Sequence, residues 1–430
     1  MKTMKTSPRL LCLALAVVAL AGAQTVPKTL TLPQAIDIAL SQRAELEAAR
    51  EVISATVGAE GQAGRSPNPT FSFQTENWRF HGTPTFSVGR NLDLFAFVSQ
   101  PIETAGKKAR RVALAGEDRQ IAELEREAAE WRIRRQVKHA YWSALSARRY
   151  ETVLADRREA VNRLVEYHEV RVRLGAAAEL DLIKVRLEGE KLEMHYINAQ
   201  TETERARFGL AAAMGLSSPV FDVALRDPDL PADTPDTEHL IETALNNRVE
   251  VRLARAMIER ARAQLGVREA SAKPNVTPYF GYKRAAGFNT LIGGVSMPLA
   301  VFDKRSGAIE EAAAQVRGFE ATLRSTQAQV RAEVVTAAAL VKRRADMLSR
   351  INDRILNQAN ETARIALAAY QEGGTELLGV IDAQRTQNEV SQLLAEASRE
   401  YALGWVDLES AVGADTLIQT TASSQTAAIN

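Results

Sequence analysis

Cysteine is almost absent from this chain of 430 residues, and histidine is scarce. The one cysteine, Cys12, lies in an apolar run near the N-terminus, so the rest of the sequence has no disulfide framework and no thiolate metal site. None of the five histidines stands four residues from another, which is a typical metal-ligand spacing, and no glycine-rich phosphate loop or nucleophile elbow is present. The sequence therefore predicts no metal site, no cofactor and no enzymatic activity.

Excess charge of one sign and long apolar runs are also missing. The 54 basic and 53 acidic side chains leave a net charge of +1, whereas nucleic-acid-binding proteins have a basic excess or a clustered basic face. We therefore expect no nucleic-acid partner. No segment reaches 18 apolar residues, so the sequence predicts no transmembrane helix. With 46% apolar residues the chain is not disordered overall.

The N-terminus has the layout of an export signal. Basic residues precede an apolar run over residues 10–20, and the small residues 21–23 follow it. We predict a cleaved signal peptide over residues 1–23, the alternative being a short N-terminal anchor helix. Cys12 lies inside this run, whereas a lipid-modified cysteine would follow it, so no lipid anchor is predicted.

The remaining sequence contains two similar halves. ALSQRAELEAAR at residues 39–50 matches ALNNRVEVRLAR at residues 244–255. Gln100-Pro101-Ile102 matches Met297-Pro298-Leu299 at an offset of 197, and Gly175 matches Gly373 at an offset of 198. These markers predict a tandem duplication.

The duplication sets the domain boundaries that we predict. The first repeat spans residues 24–217 and the second spans residues 237–414. The segment 218–236 contains four prolines and is interpreted as a linker. The tail, residues 415–430, is small and polar, and is predicted to be disordered.

Each repeat contains a long stretch with almost no helix breaker. Proline is absent between Pro101 and Pro219 and again after Pro298. Both stretches therefore predict helices of about 100 Å at 1.5 Å per residue. Apolar residues recur every seven positions, which is typical of coiled-coil packing. In the second repeat these residues are Val334, Val341, Leu348 and Ile355.

Glycine then ends each long helix. Gly175 in the first repeat, and Gly373 with Gly374 in the second, come just before a new apolar stripe. Glycine tolerates the left-handed conformation that terminates a helix, so each repeat is predicted to form a long helical hairpin with its tip at these glycines.

In two segments of each repeat, apolar residues recur at every second position, as in β-strands. In the first repeat these segments begin near Thr70 and Asn91. An ordinary soluble sheet is one interpretation. A membrane barrel is the other. Four strands cannot close a barrel, because such barrels have at least about eight, so partner chains would be needed, and three copies would give twelve strands.

Together these features resemble the TolC family of outer-membrane efflux channels. The resemblance covers nearly the whole chain after the signal segment. QPIETAGKKARR, from Gln100, is most similar to the outer-membrane components of cobalt–zinc–cadmium efflux systems. The resemblance implies a mostly α fold, in which helical hairpins form an α-barrel. Four strands per chain would contribute to a 12-stranded β-barrel of a homotrimer in outer-membrane lipid. It also implies two partners, a periplasmic adaptor (membrane fusion) protein and an inner-membrane RND pump.

The resemblance also assigns site residues. Tyr370 and Asp382, in the motif VIDA, would line the periplasmic aperture. The sequence departs from the family pattern at Gly379 and Thr375, where an acid and an arginine are common, so Glu376 is proposed as a partial substitute. The predicted adaptor-contacting tip residues are Arg173, Leu174, Gly175, Gly373 and Gly374.

The sequence thus predicts a passive conduit, with its helical part in the periplasm of a bacterium. Three nearby carboxylates of Asp382 around a threefold axis would favour bound cations or protons. Two alternatives remain open at this point. One is the outer-membrane duct of a type I protein secretion system, and the other is a soluble periplasmic coiled-coil adaptor without a barrel.

Overall fold

The computed structural model describes most of both repeats. The predicted signal peptide, most of the linker and all but the first residue of the tail lie outside the described residues. The described residues are 29–78, 81, 86–216, 224–226, 228, 230–231 and 236–415.

The first repeat begins with a short strand and two helices, and ends with a long helical hairpin. Its elements are β1 (Thr29–Leu30), α1 (Leu32–Gln42), α2 (Ala44–Ala63), β2 (Thr70–Glu76), the single turn α3 (Val88–Asn91), β3 (Asp93–Ser99), α4 (Lys107–Arg173) and α5 (Glu179–Ala213). The predicted unbroken helix is confirmed, because α4 runs for 67 residues.

The second repeat has the same order. Its elements are β4 (Ala224–Leu225), α6 (Thr237–Asn247), α7 (Val249–Ser271), β5 (Thr277–Ala285), β6 (Phe288–Ser296), α8 (Ser306–Arg350), a π-helical segment (Ile351–Leu356), α9 (Asn357–Gln371) and α10 (Leu377–Val412). The predicted mostly α fold, with two helical hairpins and four main strands, is confirmed. Within the described residues, no helix is both long and apolar enough to cross a membrane.

The four longer strands form one antiparallel sheet in the order β2-β3-β5-β6. The two repeats meet at β3 and β5, where Phe97 lies opposite Gly281 and Ser99 opposite Tyr279. A second contact between the repeats extends this junction, because Ile102 and Val276 form an isolated antiparallel bridge. The strands β2 and β6 therefore lie at the two edges of the sheet.

The main core lies where helix α1 of the first repeat and helix α6 of the second pack against the long hairpins. One cluster joins α1 to α4, α5 and α10 around Ile133, Trp142 and Met214. Close to it, β1 and β4 pair in parallel, and the Tyr141 hydroxyl lies 2.8 Å from the Leu30 carbonyl oxygen and 2.6 Å from that of Arg226. The short strands before α1 and α6 are thus held next to the same buried tyrosine.

The duplication recurs in the detailed packing. An arginine stands between the first two helices of each repeat, Arg43 in the first and Arg248 in the second. A left-handed glycine at the end of the last helix packs against it: Gly215 has a φ of +76° and Gly413 a φ of +69°. A Cβ atom at these glycines would lie 3.2 Å from Arg43 Cδ and 3.0 Å from Arg248 Cγ. Each junction is therefore tight, and its left-handed conformation favours glycine.

A π-helical segment interrupts the regular heptad spacing at Ile355. The π-helical segment carries one more residue per turn than an α-helix, so it rotates the side chains that follow it. Ile351 is buried, and the next buried residue is Ala359, eight positions later. Ile355, predicted to lie on the buried stripe, is 40% exposed.

Candidate functional site at the hairpin tips

Both hairpins turn through the same hydrogen-bonded motif. Gly175 has a φ of +71° and Gly373 a φ of +79°, so the predicted left-handed helix ends are confirmed at both positions. The Ala176 amide donates to the Arg171 carbonyl oxygen at 2.8 Å, and the Gly374 amide to that of Ala369 at 2.7 Å. This pattern, in which the amide two residues beyond the helix cap bonds back to the carbonyl five residues earlier, is a Schellman motif.

The predicted tip residues are all accessible in the single chain. Leu174 is 74% exposed. The other four predicted tip residues are also exposed, namely Arg173, Gly175, Gly373 and Gly374. Their role in binding an adaptor stays a prediction.

Tyr370 lies inside the tip rather than on its surface. Its side chain is 9% exposed and belongs to an apolar cluster that draws on α4, α5, α9 and α10. Its ring stacks on His168 of α4, with the centroids 5.4 Å apart and an interplanar angle of 29°. The Arg171 guanidinium lies 5.6 Å from the centroid of the same ring. Tyr370 thus joins the second hairpin to the first.

Asp382 and Glu376 are both exposed. The buried residues of α10 near the tip are Leu377, Val380, Ile381 and Ala383, and Asp382 lies on the exposed side of the helix. Within one chain Asp382 and Tyr370 therefore have different environments. The predicted aperture of Tyr370, Asp382 and Glu376 stays a prediction, because it depends on neighbouring copies.

The sequence reasoning missed a polar connection between the hairpins. Arg385 of α10 donates two hydrogen bonds to Glu188 of α5, one of them from Nε to Oε2 at 3.1 Å. The hydrogen bond from Arg385 is the largest cause that lowers the pKa of Glu188. Further from the tip, Arg157 of α4 donates to Asn388 Oδ1 at 2.6 Å. No local sequence signal marks such pairs, since their partners lie about 200 residues apart.

A cluster that could hold a metal ion is not found in the part of the chain that the structure describes, where no three histidine, cysteine or acidic side chains converge. The polar groups at the tips instead form pairs. The arrangement can therefore hold two hairpins together and present charge to solvent.

Comparisons with known proteins agree with this architecture. The family model described as "Outer membrane efflux protein" matches residues 35–216 and 240–414, one segment in each repeat. The cobalt-zinc-cadmium resistance protein CzcC of Cupriavidus metallidurans is 27% identical over 359 residues, which are 83% of this chain and 84% of CzcC.

Two solved structures are similar in fold. The outer-membrane channel OprN superimposes with a TM-score of 0.73 at 20% identity, over 90% of each chain. VceC of Vibrio cholerae gives a TM-score of 0.72 at 20% identity, over 89% of this chain and 96% of VceC. The resemblance to TolC-type channels, and to the heavy-metal group among them, is confirmed, and the chain belongs to the outer membrane efflux protein family.

Proposed function

We propose that this protein is the outer-membrane channel of a tripartite efflux pump, a homotrimer that conducts substrates passively from the periplasm or the pump to the exterior. The observation that carries the proposal is the four-stranded sheet with two free edges, in a chain of the outer membrane efflux protein family. The proposed trimer would pool three such sheets into a closed barrel of twelve strands.

The sheet is incomplete in one copy. β2 and β6 each pair with one strand among the described residues, so each leaves a row of backbone donors and acceptors without a strand partner. Large apolar side chains on these edge strands are exposed, namely Phe71, Phe73, Leu291 and Val295. A soluble protein would cover such side chains, whereas a lipid-facing barrel displays them.

The duplication indicates how a neighbouring copy would join. In the first repeat Ile102 bridges to Val276, just before β5 of the second repeat. The counterpart of Ile102 in the second repeat is Leu299, which is 74% exposed. The counterpart of the segment before β5 is the segment before β2, so Leu299 would bridge to the β2 edge of the next copy.

The hairpins also present apolar side chains that one copy leaves exposed. On α5 these side chains recur at spacings of three, four and seven residues, as on a coiled-coil face, and they are Leu180, Ile183, Leu187, Met194 and Ile197. On α8 and α9 they are Val335, Leu340, Met347 and Ile365. A ring of three copies would bury both faces between adjacent hairpins.

The partners and substrate of the proposed channel follow from its relatives and its tips. A periplasmic adaptor protein would dock on the exposed tips, and an inner-membrane RND pump would supply the free energy. The similarity to CzcC supports heavy-metal cations as the substrate class. The channel would conduct these ions without selecting them, because the chain has too few soft ligands to discriminate among metals. The export signal over residues 1–23, the repeat boundaries at 24–217 and 237–414, the linker at 218–236 and the disordered tail at 415–430 remain predictions.

Membrane fractionation tests the proposal. The full-length protein is expected in the outer-membrane fraction, released by detergent alone, and light scattering should give three times the mass of one chain. A protein that washes off without detergent would be the coiled-coil adaptor instead. A monomer in mild detergent would contradict the conduit.

A further inference from the structure

His168 has no hydrogen-bond partner at the centre of the hairpin tips. Its side chain is 0% exposed, and neither ring nitrogen has a hydrogen-bond partner. Its contacts are aromatic: the Tyr370 ring is stacked on it, and the Tyr167 ring meets it edge-on with the centroids 5.7 Å apart. A buried polar group without a partner costs free energy, and the cost rises steeply when the group is charged. This packing therefore suits the neutral imidazole only.

The charges around the imidazole do not compensate for burial. On α4 the nearby titratable groups are Tyr167 and the cationic Arg171, on α5 it is Asp181, and on α9 it is Tyr370. From α10 the apolar side chains of Leu377, Val380 and Ile381 join the cluster. Burial lowers the pKa of His168, the positive charge of Arg171 lowers it further, and Asp181 acts in the opposite direction.

The stack joins the two hairpins, and the second hairpin contains a π-helical segment. His168 belongs to the first hairpin and Tyr370 to the second. Between α8 and α9 the helix passes through the π-helical segment Ile351–Leu356, a geometry that is rare and frequently found at functional sites. Beyond it, the Gln387 side chain of α10 donates to Asn360 Oδ1 of α9 at 2.8 Å, which holds the outer part of the second hairpin together.

We propose that His168 is a pH-sensitive lock between the two hairpins, which holds the tips together when neutral and releases Tyr370 when protonated. The lock rests on the proposed function only in that the tips would border the channel entrance.

The direction of the pH effect follows from linkage. In the separated state His168 is hydrated and titrates near its ordinary pKa of about 6.5. In the joined state its pKa is lower, so the joined state binds fewer protons. The ratio of joined to separated tips is therefore constant above about pH 6.5, and below it falls by up to tenfold per pH unit. The fall ends at the lowered pKa of the joined state.

Electron–electron distance measurements between the tips test the lock. The full-length chain with Cys12→Ser carries spin labels at Ala176→Cys and Glu372→Cys, exposed positions on the two tips. Between pH 8 and pH 5 we expect the short inter-label distance to lose population to a longer one, with the change beginning near pH 6.5. His168→Phe keeps a ring against Tyr370 but cannot be protonated, and His168→Gln is neutral with a different shape, so both should keep the short distance throughout.

His195→Gln is the matched control, because His195 is an exposed histidine on α5. It should leave the response intact. The lock is wrong if both neutral variants respond to pH as the parent does, or if the parent does not respond at pH 5. Light scattering on the same samples separates the two hypotheses: a monomer contradicts the proposed function, whereas a trimer with unresponsive tips contradicts the lock alone.

Discussion

Arg385 and Glu188 form a two-point ion pair across 197 positions of sequence, close to the spacing of the tandem repeat. Glu188 lies on the last helix of the first repeat and Arg385 on the last helix of the second. The pair therefore connects the two hairpins through α5 and α10, beside the apolar cluster at the tips.

Glu188→Gln is expected to loosen the hairpins at the tips. The variant keeps the size of the side chain but loses the charge that Arg385 binds. In planar bilayers the single-channel conductance should rise relative to the parent. Glu190→Gln is the control, since Glu190 is an exposed acid on the same helix. Equal conductance of the parent and Glu188→Gln would exclude this pair from gating.

The same pair predicts a second pH effect in a different range. The pKa of Glu188 is lowered in the folded chain, so the stabilisation is complete above its unfolded value of about 4.3. It is lost as the pH falls through the lowered pKa. A loosening that depends on Glu188 should therefore appear only below about pH 4.3, whereas one that depends on His168 begins near pH 6.5. Conductance measured from pH 7 to pH 3, with Glu188→Gln beside His168→Phe, distinguishes them.

Asp382→Ala tests the predicted aperture. If three copies of Asp382 face one another around the channel axis, removing them should weaken block by divalent cations and raise the conductance. Asp346→Ala, an exposed acid on α8 away from the tip, is the control. Unchanged current traces with Asp382→Ala would show that this residue lies on an ordinary solvated face.

The glycines that end α5 and α10 are expected to resist substitution. Gly215→Ala and Gly413→Ala place a Cβ on a left-handed residue and against an arginine side chain. Each should destabilise the protein by about 1–2 kcal/mol, the cost of the left-handed conformation for an alanine. Gly209→Ala, in the body of α5 with open space around it, should instead be neutral or stabilising by up to about 1 kcal/mol. Chemical denaturation measures the free energy of unfolding of all three variants. Equal changes in the three would show that the left-handed conformation does not determine the cost of the substitution.

The repeat also predicts the register between copies. Ser99 lies opposite Tyr279 within the chain. At the proposed junction between β6 of one copy and β2 of its neighbour, the corresponding residues are Ser296 and Ser72. In a chain with Cys12→Ser, the pair Ser296→Cys and Ser72→Cys should form a disulfide between copies. Gels without reductant should then show bands at multiples of the chain mass, and these bands should return to the mass of one chain when reductant is added. Ser296→Cys with Phe71→Cys is the control, because the side chain of residue 71 points to the other face of the sheet.

Features with a local physical cause were predictable from the sequence. The left-handed turns at Gly175 and Gly373 follow from a helix that meets glycine, and the 67-residue α4 follows from the absence of proline. The π-helical segment was not predictable in this way, because a heptad count assumes a constant helical twist.

Pairs between repeats could not be predicted for a different reason. His168 appears in the sequence as one more heptad residue, and Glu188 and Arg385 as two charges on polar helix faces. Which residues meet depends on the rotation and stagger of two hairpins, and a shift of one residue along α10 would give Arg385 another neighbour.

The sequence alone determined the duplication, the helical hairpins with their glycine tips and the count of strands, because proline, glycine and apolar spacing act within one or two turns of the chain. The tertiary structure alone decided that Tyr370 is buried against His168, that Arg385 binds Glu188 and that β2 and β6 are the outer strands of the sheet among the described residues. These relationships depend on how the two repeats pack side by side, and that packing is a property of long-range contacts between residues about 200 positions apart.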